Sequence, residues 1–303
     1  MRAIAVFFWL LASTTASFSS SCPDNPNALG TSRVLTIGPE EFARIGRMQY
    51  EQTLPLGDHE VVLTFDDGPI PPYSNVVLET LASQCIKATY FLVGEMARAH
   101  PAIVRRIYNA GHTIGTHSQN HPYRFRRLSA SEAEQQIDSG IASVDAALGN
   151  PQALSPFFRI PGLGRTPAIE NYLASKSIVI WSADVVADDW KHIGAREIVQ
   201  RAMRRLEAKG RGILLLHDIH PATAVALPML LKELKDHGYR IVQVVAAGDR
   251  PPSVPELAIP HESMKEARPA VLKAKFGKAH VHTRTHKRVK SRQRHPAIAT
   301  AKS

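Results

Sequence analysis

The run Thr64-Phe65-Asp66-Asp67-Gly68-Pro69 follows an apolar stretch, Val61-Val62-Leu63, and sets two adjacent carboxylates at a strand end before a turn. Like charges this close raise one another's pKa unless a cation or a strong donor holds them ionised. Further along stands His117-Ser118-Gln119-Asn120-His121, with imidazoles at i and i+4 that would share one face of a helical turn. One Asp with two His is a metal set of the catalytic kind, three protein ligands with a position left open for water. The second Asp is then free to act as base on that water. Taken singly, the Asp pair reads as a helix cap beside a turn, and the His pair as surface or packing. Because each follows directly after a strand, together they read as a site.

A parallel α/β scaffold is what the rest of the chain supplies. Strand-like apolar runs occur at 60–65, 87–93, 112–116, 156–160, 177–182, 212–216 and 240–245, separated by helix-length segments at 73–83, 102–110, 131–148, 166–174, 195–209 and 223–237. Seven strands alternating with helices predict either an open doubly wound sheet or a barrel. Asp66 and Asp67, His117, Arg159, Asp184 and His217 fall at the ends of different strands, and that distribution favours a barrel. With seven strands rather than eight, the barrel is expected to be distorted or incompletely closed. Residues 22–57 carry turn formers without a strong period and read as a surface lead-in to a domain spanning 58–248.

These motifs, Thr64-Phe65-Asp66-Asp67-Gly68-Pro69, His117-Ser-Gln-Asn-His121, Arg159-Ile-Pro161, Asp189-Trp190 and Leu216-His217, resemble in order and spacing the five motifs of the polysaccharide deacetylases of carbohydrate esterase family 4. The resemblance covers roughly residues 58–248 and implies a distorted (β/α)7 barrel. It implies that Asp67, His117 and His121 bind a divalent metal, most often Zn²⁺, with Co²⁺ or Ni²⁺ as alternatives. Asp66 is then the general base, kept ionised and oriented by Arg159. Amide hydrolysis needs an acid to protonate the leaving amine, and the resemblance gives that role to His217, with Asp189 setting its tautomer and Asp184 as the alternative partner. Trp190 would wall the acetyl pocket, with Pro161, Gly162 and Leu216 beside it. The family pattern usually has an aromatic where this chain has Gly162, which implies a retained backbone donor but a more open subsite.

The implied activity is removal of N-acetyl groups from a poly- or oligosaccharide containing N-acetylglucosamine, of the peptidoglycan or chitooligosaccharide type. An O-acetyl esterase on the same fold is the alternative. A carbohydrate-binding pseudoenzyme would lack a base, acid or ligand, and none is missing.

The ends of the chain have a different character. Arg2, the apolar residues 4–11 and the small residues 12–16 read as an export signal within 1–21, far short of the roughly 20 apolar residues a membrane span needs. The predicted localisation is therefore periplasmic, cell-envelope or secreted. In an exported chain the two cysteines, Cys22 and Cys85, read as one disulfide, against the alternative of two independent thiols. Of the net charge of +10, residues 251–303 hold +9, from 12 Lys/Arg against 3 Glu. The basic character thus belongs to a tail, 249–303, expected to be disordered and suited to an anionic envelope polymer or membrane surface. This argues against a specific nucleic-acid partner for the domain.

Overall fold

The apolar run leading to Asp66 is buried along its whole length, as a parallel strand covered on both faces must be. The computed structural model describes residues 22–150 and 152–248. The expected export signal and basic tail lie outside the described residues. The strands in chain order are β1 (Thr31–Ile37), β2 (Arg44–Ile45), β3 (Glu60–Asp66), β4 (Thr89–Leu92), β5 (Thr113–Thr116), β6 (Phe157–Arg159), β7 (Val179–Trp181), β8 (Val185–Val186), β9 (Gly212–His217) and β10 (Arg240–Ala246). The helices are α1 (Tyr73–Ser83), α2 (Gly94–Ala99), α3 (Pro101–Asn109), α4 (Ala130–Leu148), α5 (Pro167–Ser175), α6 (Ala195–Glu207) and α7 (Pro221–Asp236), with 3-10 turns at Phe125–Arg127 and Pro161–Leu163. No helix among the described residues is long and apolar enough to cross a membrane.

Every strand pairing is parallel. The path β3-β4-β5-β6-β7 curls away on one side of β3, while β9 pairs the other side and carries β8. No hydrogen-bonded pair joins β7 to β8 among the described residues. The sheet is therefore a distorted, incompletely closed (β/α)7 barrel. Its strand membership differs from the sequence expectation. The two-residue β8 fills a place on the ring, whereas β10 pairs only Glu60 and Val61 of β3 and otherwise lies against β1.

The lead-in also differs from expectation. Rather than running over the surface, residues 31–56 contribute β1, β2 and the buried side chains Ile37, Ile45, Leu54 and Leu56. Their sequence gave no period because β1 is an edge strand with only its last residue fully buried.

Strand alternation sorts the core. On β3, Val61, Leu63 and Phe65 face the helices in one cluster with Leu81, Ile107 and Leu230. Val62 belongs instead to the interior cluster, with Phe91, Phe157, Trp181 and Ile213. By the same two-residue period Asp66 lies on the interior side. Register then sets the strand ends level: Asp66 pairs with Phe91 on β4 and His217 on β9, and Arg159 pairs with Trp181.

The opposite end of the barrel carries the expected disulfide, Cys22–Cys85, just ahead of β4. Closing a long loop in the unfolded chain, it is worth about 2–4 kcal/mol. The Cys22→Ser variant should lose stability on this scale in urea melts yet keep its activity. Equal melting midpoints for the two proteins would remove the stabilising role.

His112 offers a second test. It is buried, its Nδ1 accepts the Ala88 N–H at 3.0 Å, and burial, with a smaller contribution from Lys87, pushes its pKa down to about 3. The unfolded imidazole titrates near 6.5, so below that pH the unfolded chain takes up a proton that the native state refuses. Stability is complete above about pH 6.5 and declines toward pH 3, by up to roughly 1.4 kcal/mol per pH unit. His112→Asn keeps an acceptor for Ala88 and should flatten this slope between pH 6.5 and 4. Identical slopes for both proteins would refute the assignment.

Candidate active site

The site opens at the carboxyl ends of β3, β5, β6 and β9. Asp66 ends β3 as a buried side chain, and Asp67 follows at φ +75°. This left-handed step turns the chain sharply, and only glycine can follow: a Cβ on Gly68 would lie 2.2 Å from Asp218 Oδ1.

The two histidines do not share a helical turn. After β5 the chain makes an irregular loop with Ser118 at φ +68° and His121 at φ +49°. It is stapled by Gly94 N–H to Ser118 O (3.0 Å), Glu95 N–H to Gln119 O (2.8 Å) and His121 N–H to Ser118 Oγ (3.1 Å). Helix α4 presses on it so closely that a Cβ at Gly140 would approach the Ser118 carbonyl carbon to 2.5 Å. Backbone bonds and packing thus achieve what helical spacing was expected to do.

His117 Nδ1 lies 2.6 Å from Arg159 O. A carbonyl only accepts, so Nδ1 carries the hydrogen and Nε2 presents a lone pair. That Nε2 and His121 Nε2 lie 3.4 and 3.5 Å from Asp67 Oδ1, a buried oxygen with no hydrogen-bond donor. The ligand atoms of the three residues all fall within 4.8 Å of one another. With the His117 Nε2 lone pair turned toward this carboxylate oxygen, the three residues could hold a cation. The donor set and the spacing fit a tetrahedral ion with bonds of about 2 Å. Burial opposes ionisation of Asp67, but the neighbouring imidazoles, His117 first, then His217 and His121, hold it well below the usual carboxylate range. Burial, reinforced by His117, pushes His121 down, which keeps it a neutral ligand.

Arg159, with no solvent exposure, lies behind Asp66. Its Nη1 donates to Asp66 Oδ1 at 2.6 Å and Thr64 Oγ1 at 2.8 Å, and its Nη2 to Ser182 O at 2.9 Å, with the guanidinium 4.3 Å above the Phe91 ring. Asp66 Oδ2 is left toward the cluster, 3.8 Å from His117 Nε2. Across the cavity His217 Nδ1 donates to Asp189 Oδ1 at 2.9 Å. The other oxygen of Asp189 accepts from His217 N–H and Thr223 Oγ1, both at 2.7 Å. Burial works against a charged His217, but Asp189 first, then Asp67 and Asp66, push it up to about 9. The choice between Asp189 and Asp184 is thereby resolved. Asp184 accepts from Arg47 N–H, Thr53 Oγ1 and Ile213 N–H, each at 2.8 Å, and so ties the lead-in to the barrel instead.

A cavity of about 780 Å³ holds Asp66, Asp67, His117, His121 and His217 in its lining, with Pro161, Gly162 and Trp190 on its walls. Trp190 is half exposed and edge-on to His217, ring centres 5.7 Å apart. Gly162 sits at φ +58° with open space where a side chain would stand, in line with the open subsite expected there. Leu216 is a correction. It is buried in the cluster between sheet and helices, and its neighbour Leu215 lines the cavity, because alternate residues of β9 face opposite sides. Sequence reasoning also missed Thr223, Ser182 and the Tyr123–Arg127 turn, which carry no period or motif of their own.

Residues 54–179 match the family model "Polysaccharide deacetylase". The chain is 33% identical over 210 residues to a peptidoglycan-N-acetylglucosamine deacetylase of Bacillus cereus, covering 68% of this chain and 94% of that protein. It is 31% identical over 187 residues to the peptidoglycan-N-acetylglucosamine deacetylase PgdA of Listeria monocytogenes, covering 61% of this chain but only 38% of that longer protein. Among solved structures, the peptidoglycan deacetylase Bd3279 of Bdellovibrio bacteriovorus superposes with a TM-score of 0.65 at 29% identity, over 73% of this chain and 61% of that one. The chain belongs to the polysaccharide deacetylase family, carbohydrate esterase family 4.

Metal titration tests the cluster without requiring turnover. The protein should take up one Zn²⁺ or Co²⁺ per chain, and His117→Ala should weaken that affinity at least about tenfold, a scale on which even outer-shell changes register. Equal uptake by the variant in equilibrium dialysis would dismiss the cluster as the metal site.

Proposed function

We propose that the protein is an exported, metal-dependent N-deacetylase of cell-wall glycans built on N-acetylglucosamine. The observation that carries this reading is the arrangement of Asp66 and His217, each locked by its own partner, on either side of the Asp67/His117/His121 cluster within one cavity. The disulfide and the envelope substrates named for its relatives support export.

When bound at Asp67, His117 and His121, a divalent ion, in our reading zinc, would polarise the acetamide carbonyl and acidify water. Asp66 Oδ2 takes the proton of the attacking water, while Arg159 holds Oδ1 and keeps the carboxylate ionised and aimed. The Gly162 N–H, in the turn along the wall, is the candidate donor to the developing oxyanion. His217 enters the reaction as the imidazolium and gives its Nε2 proton to the leaving amine; Asp189 fixes that tautomer through Nδ1. Trp190 bounds the acetyl group. An acid so strongly supported suits an amide, whose amine cannot depart unprotonated, more than an ester.

Acetate release from chitooligosaccharides and from peptidoglycan, with and without chelator, tests the proposal. Asp66→Asn should bind metal yet lose about 10²–10⁴ in turnover, and His217→Ala should lose more on amides than on activated esters. Full activity after exhaustive demetallation would sink the mechanism. Amide turnover by His217→Ala within a few-fold of the parent would mean that another group is the acid.

A further inference from the structure

Between His121 and the first turn of α4 runs Pro122-Tyr123-Arg124-Phe125-Arg126-Arg127. Phe125 is 1% exposed and packs with Ile137, Phe158 and Ile160, so this short turn is anchored in the core. The turn is closed by Arg127 N–H to Arg124 O at 2.8 Å and Leu128 N–H to Phe125 O at 3.1 Å. Its three arginines are exposed, and all three line the cavity that holds Asp66, Asp67 and His217.

None of these guanidiniums makes an ion pair or side-chain hydrogen bond among the described residues. Other arginines of the domain, such as Arg33, Arg165, Arg201 and Arg205, are matched to carboxylates. The acidic residues of the cavity lining are Asp66 and Asp67, and both are engaged at the reaction centre. Three like charges held in one short turn repel one another, and a rigid anchor keeps them together. Such a cluster gains from a ligand that brings anions, above all planar carboxylates that match the guanidinium fork. A neutral glycan brings none. The same rim presents Tyr123, 94% exposed, with Trp190 also on the cavity wall, apolar faces of the kind that mark a ligand groove.

We propose that Arg124, Arg126 and Arg127 form a carboxylate-reading subsite. The preferred substrate is accordingly an acidic glycan, in which sugars next to the N-acetyl group being removed carry carboxylates. This rests on the deacetylase reading and specifies its substrate. The carboxylate comes either from a carboxyalkyl ether on the sugar or from an acidic peptide attached to it, and both present the same fork to the turn.

The test uses the whole protein and five substrates: a neutral chitooligosaccharide, a peptide-free glycan bearing carboxyalkyl ethers, its peptide-bearing counterpart, and each of the two acidic glycans after carbodiimide amidation. The parent enzyme should favour the carboxylated over the amidated form by about tenfold in kcat/KM, the scale of a few exposed charge pairs acting together. The preference should appear mainly in KM and shrink as salt rises. A preference already present in the peptide-free glycan assigns the ether carboxylate, and one seen only with peptide assigns the peptide. The R124Q/R126Q/R127Q variant should bring the ratio to within about twofold, while an all-lysine variant should retain part of it. Calorimetric binding of the carboxylated and amidated glycans to Asp66→Asn reads the same preference without turnover. Equal handling of carboxylated and amidated glycans by the parent, or an undiminished ratio in the glutamine variant, overturns the subsite. Absence of acetate release from every substrate would instead count against the deacetylase reading, leaving the binding ratio to decide the subsite.

Discussion

Arg159 is the residue on which the site depends. Its guanidinium, wholly buried, holds Asp66 Oδ1, Thr64 Oγ1 and Ser182 O, and its carbonyl orients His117 through Nδ1. One residue therefore fixes both the expected base and the lone pair of an expected metal ligand. Burying a charge this completely is expensive unless it is paired and hydrogen-bonded. Burial pulls Arg159 below its ordinary pKa and Asp66 opposes that pull. Removing either partner would leave a buried charge alone, which makes the pair more constraining for the surrounding barrel than its net stability would suggest.

The barrel makes that pair available by bringing unlike strand ends to one level. Parallel register puts Asp66, Phe91 and His217 side by side, and the sheet twist and curl carry β6 round to present Arg159 behind them. The gap between β7 and β8 leaves the ladder open without disturbing this level. Asp184 sits beside the gap and accepts three hydrogen bonds, from the lead-in and the start of β9, so this carboxylate is committed to closing the scaffold. Asp189 is committed as fully on the other wall, with both oxygens engaged by His217 and Thr223. Such supporting bonds let a site hold its groups at a defined separation before substrate arrives.

The contrast between the floor and the rim of the cavity is chemical. On the floor the charged groups have partners or face the Asp67/His117/His121 cluster. On the rim, Tyr123 and three arginines stand on a turn tethered by Phe125 and present unspent binding capacity.

Residue types and local order carried much of this in the sequence alone. The Asp-Asp and His-x-x-x-His motifs, the Arg159 and His217 positions and the main helices α1 and α3–α7 follow from periodicity, turn chemistry and motif order, all of which are set by near neighbours in the chain. The Cys22–Cys85 bridge was legible because only two cysteines were present. What the tertiary structure alone decided are relations between remote segments. It joined Asp189 rather than Asp184 to His217, and turned Leu215 rather than Leu216 into the cavity. It brought His121 to His117 by a stapled loop rather than a helix, and drew β1 and β2 of the lead-in into the sheet. It also gathered three arginines of unremarkable sequence onto the rim of the site. Each of these depends on strand register and on which surfaces close against one another, and a one-residue shift in register, invisible in composition or period, would reverse them.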